Sequence, residues 1–259
     1  MKTAGLSFAA AALSCALIAS GAQAGEYGHC VKTERTLKVF KGQYLDKGCT
    51  KRATLQETQA GGTANKWDWE AGPGPNPLLS AKGKATTLAL GGEGGSITCE
   101  KHTSTGQVSS SKEASMQITF VGCTWSVTGE SCETAGQIPG WITWPVFERL
   151  VDHGEHGHGG GEPPEGEVWS ELTVFPNAEF TCGAEKTSFV VFDSVAGATT
   201  GKSVNATAKK DTTAFGEGKG EQNLEVLFDN PNTSKLERLH ATFTAEDAVL
   251  FAERIEVRL

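Results

Sequence analysis

Ser115–Phe120 reads SMQITF and Val121–Ile142 reads VGCTWSVTGESCETAGQIPGWI, and these adjoining segments decide the fold class. In the first, polar and apolar residues alternate with period two, which is the pattern of a strand with one face buried. The second holds Cys123 and Cys132, with eight residues between them including a glycine, and the tryptophans Trp125 and Trp141. A strand running into a Cys- and Gly-bearing turn is how a disulfide-stapled β domain is built.

The same signals recur outward in both directions. Thr86–Leu90 (TTLAL) and Ser96–Glu100 (SITCE) flank the turn GGEGG and predict a hairpin. Trp169–Phe175, Ala178–Cys182, Ser188–Phe192, Ser203–Ala208, Asn223–Phe228, Arg238–Thr244 and Ala248–Leu259 each read as strands. Asn232–Leu239 reads as a single helical turn, and no longer segment carries a 3.6-residue apolar stripe. With 32 glycines and closely spaced turn signals, the expected fold is all-β, an antiparallel sandwich or barrel-like domain. Residues 25–259 read as one domain, with a C-terminal subdomain beginning near 198 as the alternative, because glycines cluster at Gly197 and Gly201.

The N-terminal 24 residues fit a signal peptide: Lys2, an apolar run from Leu6 to Ile18, then Ala22-Gln23-Ala24 before Gly25. Cys15 is not placed for lipidation, since apolar sequence continues past it. Cleavage removes Lys2 and no acid, so the formal charge moves from −8 to −9. An acidic chain with no basic stripe is a poor partner for nucleic acid or an anionic membrane. No segment of the mature chain is long and apolar enough to predict a transmembrane helix. The expectation is a bacterial protein that is secreted, extracellular or at the cell surface.

Six cysteines remain after cleavage: Cys30, Cys49, Cys99, Cys123, Cys132 and Cys182. An even number in an exported chain predicts disulfides, and six allow 15 pairings. Proximity favours Cys30–Cys49 and Cys123–Cys132, which leaves Cys99 with Cys182. No CxxC pair points to metal binding by these thiols instead.

Two candidate sites stand out. His153, His156 and His158, with Asp152, Glu155 and Glu162 in the Gly-rich loop after TWPVFERLVD, can offer imidazole and carboxylate to a divalent metal. Against that, a Gly-rich loop loses much entropy on ordering, and a solvated insertion between strands is the plainer explanation of the run. Trp67 and Trp69 lie two apart beside the loop Gly72–Pro77 and would share one face of a strand, as a platform for a sugar or peptide, or as core. No GxSxG, no HExxH and no complete SxxK set is present, so a hydrolase would need a carboxylate pair that spacing cannot reveal. No resident cofactor is expected.

Several short patterns resemble a group of secreted proteins of soil actinobacteria. They are YGxCxK at Tyr27–Lys32, GxYxDxxCT at Gly42–Thr50 and WxWxxG at Trp67–Gly72. IxC follows at Ile97–Cys99, then TFxGC at Thr119–Cys123 with Cys132, GxI at Gly136–Ile138, and FTCG at Phe180–Gly183. The likeness covers Tyr27 to about Gly183, and the His-rich loop departs from it. It implies export and a β fold, and no activity is assigned to the group. The expected role is therefore non-enzymatic binding or coating, with a glycan, peptide or surface protein as ligand. Metal binding through the His153–His158 loop is the alternative, and an extracellular hydrolase a more distant one.

Overall fold

The computed structural model describes residues 25–36, 39–54, 56–57, 65–151, 167–201, 208–216, 222–230 and 235–258. The signal segment and the loop carrying His153, His156 and His158 lie outside the described residues. In chain order the strands are β1 (Glu26–Lys32), β2 (Arg35–Thr36), β3 (Val39–Phe40), β4 (Trp67–Ala71), β5 (Leu78–Gly83) and β6 (Thr86–Leu90). Next come β7 (Ser96–Cys99), β8 (Lys101–Val108), β9 (Glu113–Val121), β10 (Thr124–Trp125), β11 (Cys132–Glu133) and β12 (Trp141–Val151). The chain ends with β13 (Glu167–Cys182), β14 (Thr187–Gly201), β15 (Ala208–Phe215), β16 (Glu225–Asn230) and β17 (Lys235–Arg258).

Eight of these strands close an antiparallel barrel. Around the wall they run β5, β8, β9, β12, β13, β14, β15 and β17, and β17 then pairs with β5. Wall neighbours follow sequence order, so the closure is an up-and-down barrel with hairpins inserted between its strands. The alternation that predicts strands also sets which way each residue faces. In β9, Ala114, Ile118 and Phe120 are buried while Glu113 and Gln117 are exposed. In β8, Lys101, Thr103, Thr105 and Gln107 are exposed. Polar outside and largely apolar inside is the inverse of a barrel that crosses a bilayer. Among the described residues, no helix is long and apolar enough to cross a membrane.

Three strands outrun the barrel. β13, β14 and β17 have 16, 15 and 24 residues, and their extensions build a second sheet layer at one end. There β17 pairs with β16 on one side and β6 on the other, followed by β7 and β10, while β11 pairs with β13. This end encloses the larger apolar cluster. Phe180, Phe189 and Phe228 stack at centroid distances of 5.3 and 5.7 Å, and Trp125 meets Phe189 edge-on at 5.2 Å. Tyr27, Leu79, Val108, Ala114, Leu150, Val168, Phe251, Ile255 and Val257 form a smaller cluster at the other end, where β1 pairs with the tail of β17.

The cysteine pairing differs from the sequence expectation in two of its three bonds. Cys30–Cys49 forms as expected, whereas the others are Cys99–Cys123 and Cys132–Cys182. Cys123 and Cys132 are indeed neighbours, the Cys132 N–H donating to the Cys123 carbonyl over 3.0 Å. Register decides the outcome instead. Cys132 stands directly opposite Cys182 in the β11–β13 ladder with Cα atoms 4.0 Å apart, and Cys99 and Cys123 approach to 3.9 Å. Opposed residues share a face of the sheet, so their sulfurs point at each other.

Two further expectations change. Lys235–Leu239, taken as part of a helical turn, begins β17 and pairs with β16, so the segments Arg238–Thr244 and Ala248–Leu259 are one strand through 258. Trp169–Phe175 and Ala178–Cys182 also merge, into β13, with a register shift between Val174 and Ala178 where Pro176 lacks an N–H to donate. Gly197 and Gly201 lie within β14, Gly197 paired with β13 and Gly201 with β15, and β17 from the C-terminal third closes the barrel against β5.

Candidate functional site

The barrel carries several titratable groups inward, in two chains that make up a polar belt. Asp247, Gly83 and His102 occupy one register row across β17, β5 and β8. Gly83 is needed there because a Cβ would lie 2.0 Å from the His102 ring. Its absence lets the imidazole cross β5, so that Nε2 reaches the Asp247 carboxylate while Nδ1 sits 2.6 Å from the Thr86 hydroxyl. A second chain runs round the opposite wall. The Glu148 carboxylate accepts hydrogen bonds from Tyr27 and Ser170, Ser170 meets Thr199 at 2.9 Å, and Thr199 meets Thr213 at 2.9 Å.

This enclosure shifts the groups it holds. Burial raises the Glu148 carboxyl above the ordinary glutamate value, the bonds from Ser170 and Tyr27 oppose that rise, and the charge of Asp247 adds to it. Burial also raises the Tyr27 phenol well above its usual value, reinforced by the charge and hydrogen bond of Glu148 and by the charge of Asp211. The sequence Thr–His–Asp has the composition of a nucleophile relay. Here, though, Thr86, His102 and Asp247 are 3, 2 and 8 % exposed, so no reactant reaches them. The belt is scaffold: it satisfies polar side chains that would otherwise be costly inside an apolar barrel.

Turned over, the same strands present an open groove of about 780 Å³. Leu250, Ser80, Thr105 and Gln117 form one row across β17, β5, β8 and β9. Leu78, Gln107 and Ser115 form the next. Between these rows lies Gly106, paired with Leu79 and Met116, where a Cβ would lie 2.1 Å from the Ser115 carbonyl oxygen. None of the residues lining the groove is charged.

The second row continues across the wall. Ser115 is paired with Phe147 on β12, and Phe147 lies beside Phe175 with ring centroids 5.7 Å apart. These rings are 48 and 58 % exposed, unusual for phenylalanines that already contact each other. Charge returns one row further on, where Glu113, Arg149 and Glu171 are aligned.

The predicted site residues fall elsewhere. Trp67 and Trp69 do share a face of β4, half-buried, with Trp69 opposite Cys30. The Trp69 ring fills the space over Gly28, where a Cβ would come within 2.2 Å of it, and Trp67 is bridged through its backbone to Tyr44. They pack the N-terminal cap that Cys30–Cys49 ties down. Nearby, the Asp46 carboxylate collects donors from the Lys51, Thr50 and Gly48 backbone and the Thr50 hydroxyl. Burial pushes it up, but those donors outweigh burial and hold it below the usual aspartate value. Among the described residues, no three His, Cys, Asp or Glu side chains converge as a metal site. Neither the belt nor the groove is legible from spacing, because His102 and Asp247 are 145 residues apart. The one signal available for the groove is that Ser115 and Gln117 share the outward side of the alternating segment Ser115–Phe120.

No protein-family model matches the chain, and neither a curated protein nor a solved structure matches it.

Proposed function

We propose that this protein is exported and acts outside the cell as a non-catalytic binding protein, with the outer groove as its ligand face. The observation that carries this reading is an uncharged groove bordered by two exposed phenylalanines on the wall of a closed barrel. Such a wall is preorganised, so binding costs little ordering of the protein. Three disulfides fit an oxidising, extracellular setting, and the likeness to secreted actinobacterial proteins supports export. Chemistry is placed poorly for catalysis: the interacting carboxylates Glu148 and Asp247 stand on the inner side of the wall, and the groove lining has no carboxylate.

The test is a screen of the mature protein, residues 25–259, against glycan and peptide arrays, with a Thr105→Trp variant that projects a ring from the exposed side of β8 into the groove and is checked for folding by circular dichroism. Binding by the wild type that this variant weakens supports the reading. Silence on both arrays, or binding indifferent to the variant, contradicts it.

A further inference from the structure

We infer that the ligand of this groove is a neutral oligosaccharide, a proposal that rests on the groove being the binding face. Charge is the first argument. The chain has 54 charged side chains (23 basic and 31 acidic), yet none lines the groove. An acidic polymer would meet a mature protein of formal charge −9, with no cation in the groove to receive it. A cationic ligand would find no carboxylate.

Hydrogen-bonding capacity is the second. Gln107, Gln117, Ser80, Ser115 and Thr105 supply amides and hydroxyls, which donate and accept alike. Sugar hydroxyls have the same dual character, and a face built this way bonds them without demanding a charge. The third concerns the backbone. Peptides commonly bind β proteins by adding a strand to a free edge. In the groove wall β5, β8 and β9 are each paired on both sides, so their main-chain groups are consumed within the barrel. A peptide has no edge to extend here, whereas a sugar needs none.

Phe147 and Phe175 complete the arrangement. Their exposed rings stand across from Ser115 at one end of the groove, where the apolar C–H face of a pyranose can lie on an aromatic ring. The strip from β17 to β13 crosses six strands, about 24 Å at the usual strand spacing, so an extended chain of several sugars fits better than a single one.

Calorimetry tests this with neutral hexasaccharides of glucose, N-acetylglucosamine and mannose, set against hexagalacturonate and an uncharged hexapeptide pool. The proteins are wild type, Phe147→Ala/Phe175→Ala and Gln107→Ala/Gln117→Ala, each checked by circular dichroism and melting temperature. The expected result is binding of at least one neutral hexasaccharide, weakened about tenfold in either double variant with folding unchanged. Variant-sensitive binding of hexagalacturonate or peptide instead overturns the ligand class and leaves the groove as the binding face. If no probe binds, or binding by both variants equals that of the wild type, the groove reading falls as well. Sedimentation of the wild type as a dimer that Phe147→Ala/Phe175→Ala converts to monomer would assign the strip to a second copy of the chain and overturn the sugar.

Discussion

Strands β5, β8 and β17 present two different chemistries on their two faces. Inward they carry Asp247 and His102, either side of Gly83 in one row. Outward, a short way along the same strands, they carry Leu250, Ser80 and Thr105 in a groove whose lining is uncharged. Clustered titratable groups ordinarily draw attention as a functional site. Here His102 and Asp247 are closed to solvent, and the described links of the belt run along the wall and out to Thr86 on β6 and Tyr27 on β1, so it ties the inserted strands to the barrel. The uncharged face is the one open to a partner. The difference teaches that accessibility, more than the density of ionisable groups, separates scaffold from site in a sealed barrel.

The two faces should respond differently to substitution. The largest inner-face effect is expected for the disulfides. Replacing Cys132 and Cys182 by Ala opens a 50-residue loop and should cost about 4 kcal/mol, with about 3 kcal/mol for the 24-residue loop of Cys99 and Cys123, read by urea unfolding. Non-reducing peptide mapping that links Cys123 to Cys132 would break this part of the account.

Asp247→Ala should come next, at about 3 kcal/mol, because it leaves His102 buried with no acid partner. Gly83→Ala should cost about 2 kcal/mol by forcing the imidazole away from its row. A Gly83→Ala protein that melts like wild type would show that the ring does not depend on that gap.

Glu148→Gln tests the belt through pH. Because the folded protein holds this carboxyl proton to higher pH than the unfolded chain, the stability tied to it is fully present below the unfolded value, 4.5, and is lost as pH rises through the folded value. Glutamine keeps the oxygen that accepts from Tyr27 and Ser170 and removes the charge. The variant should therefore be more stable than wild type above the folded value and match it at low pH, in melting curves recorded from pH 3 to 9. A constant difference across that range would contradict the assignment. On the outer face, Phe147→Ala should change stability by no more than about 0.5 kcal/mol, since its ring is half exposed.

How far this was legible in the sequence follows from which interactions are local. Ser115–Phe120 displays its alternation over six residues, and the hairpin around GGEGG is marked by its own glycines, so both are readable. β14 is harder to read, because beyond Phe192 it continues through Asp193, Ser194, Ala196 and Gly197, residues that lack strand character until β13 pairs with them. Cystine pairing depends on register, and proximity favoured the wrong partner for Cys123 although its neighbour Cys132 was identified. The groove is the extreme case: Gln107, Ser115, Leu78 and Phe147 form a row only once four strands are aligned. The aromatic signal in the sequence led to Trp67 and Trp69, whereas the freely exposed pair is Phe147 and Phe175.

The most direct test of the division between faces is backbone amide chemical-shift mapping of the wild-type protein during titration with the neutral hexasaccharide that binds it. The account predicts perturbations at Ser80, Thr105, Gln107, Ser115, Gln117 and Phe147, with Trp67 and Trp69 unmoved. Perturbations centred on Trp67 and Trp69, with the groove silent, would contradict it.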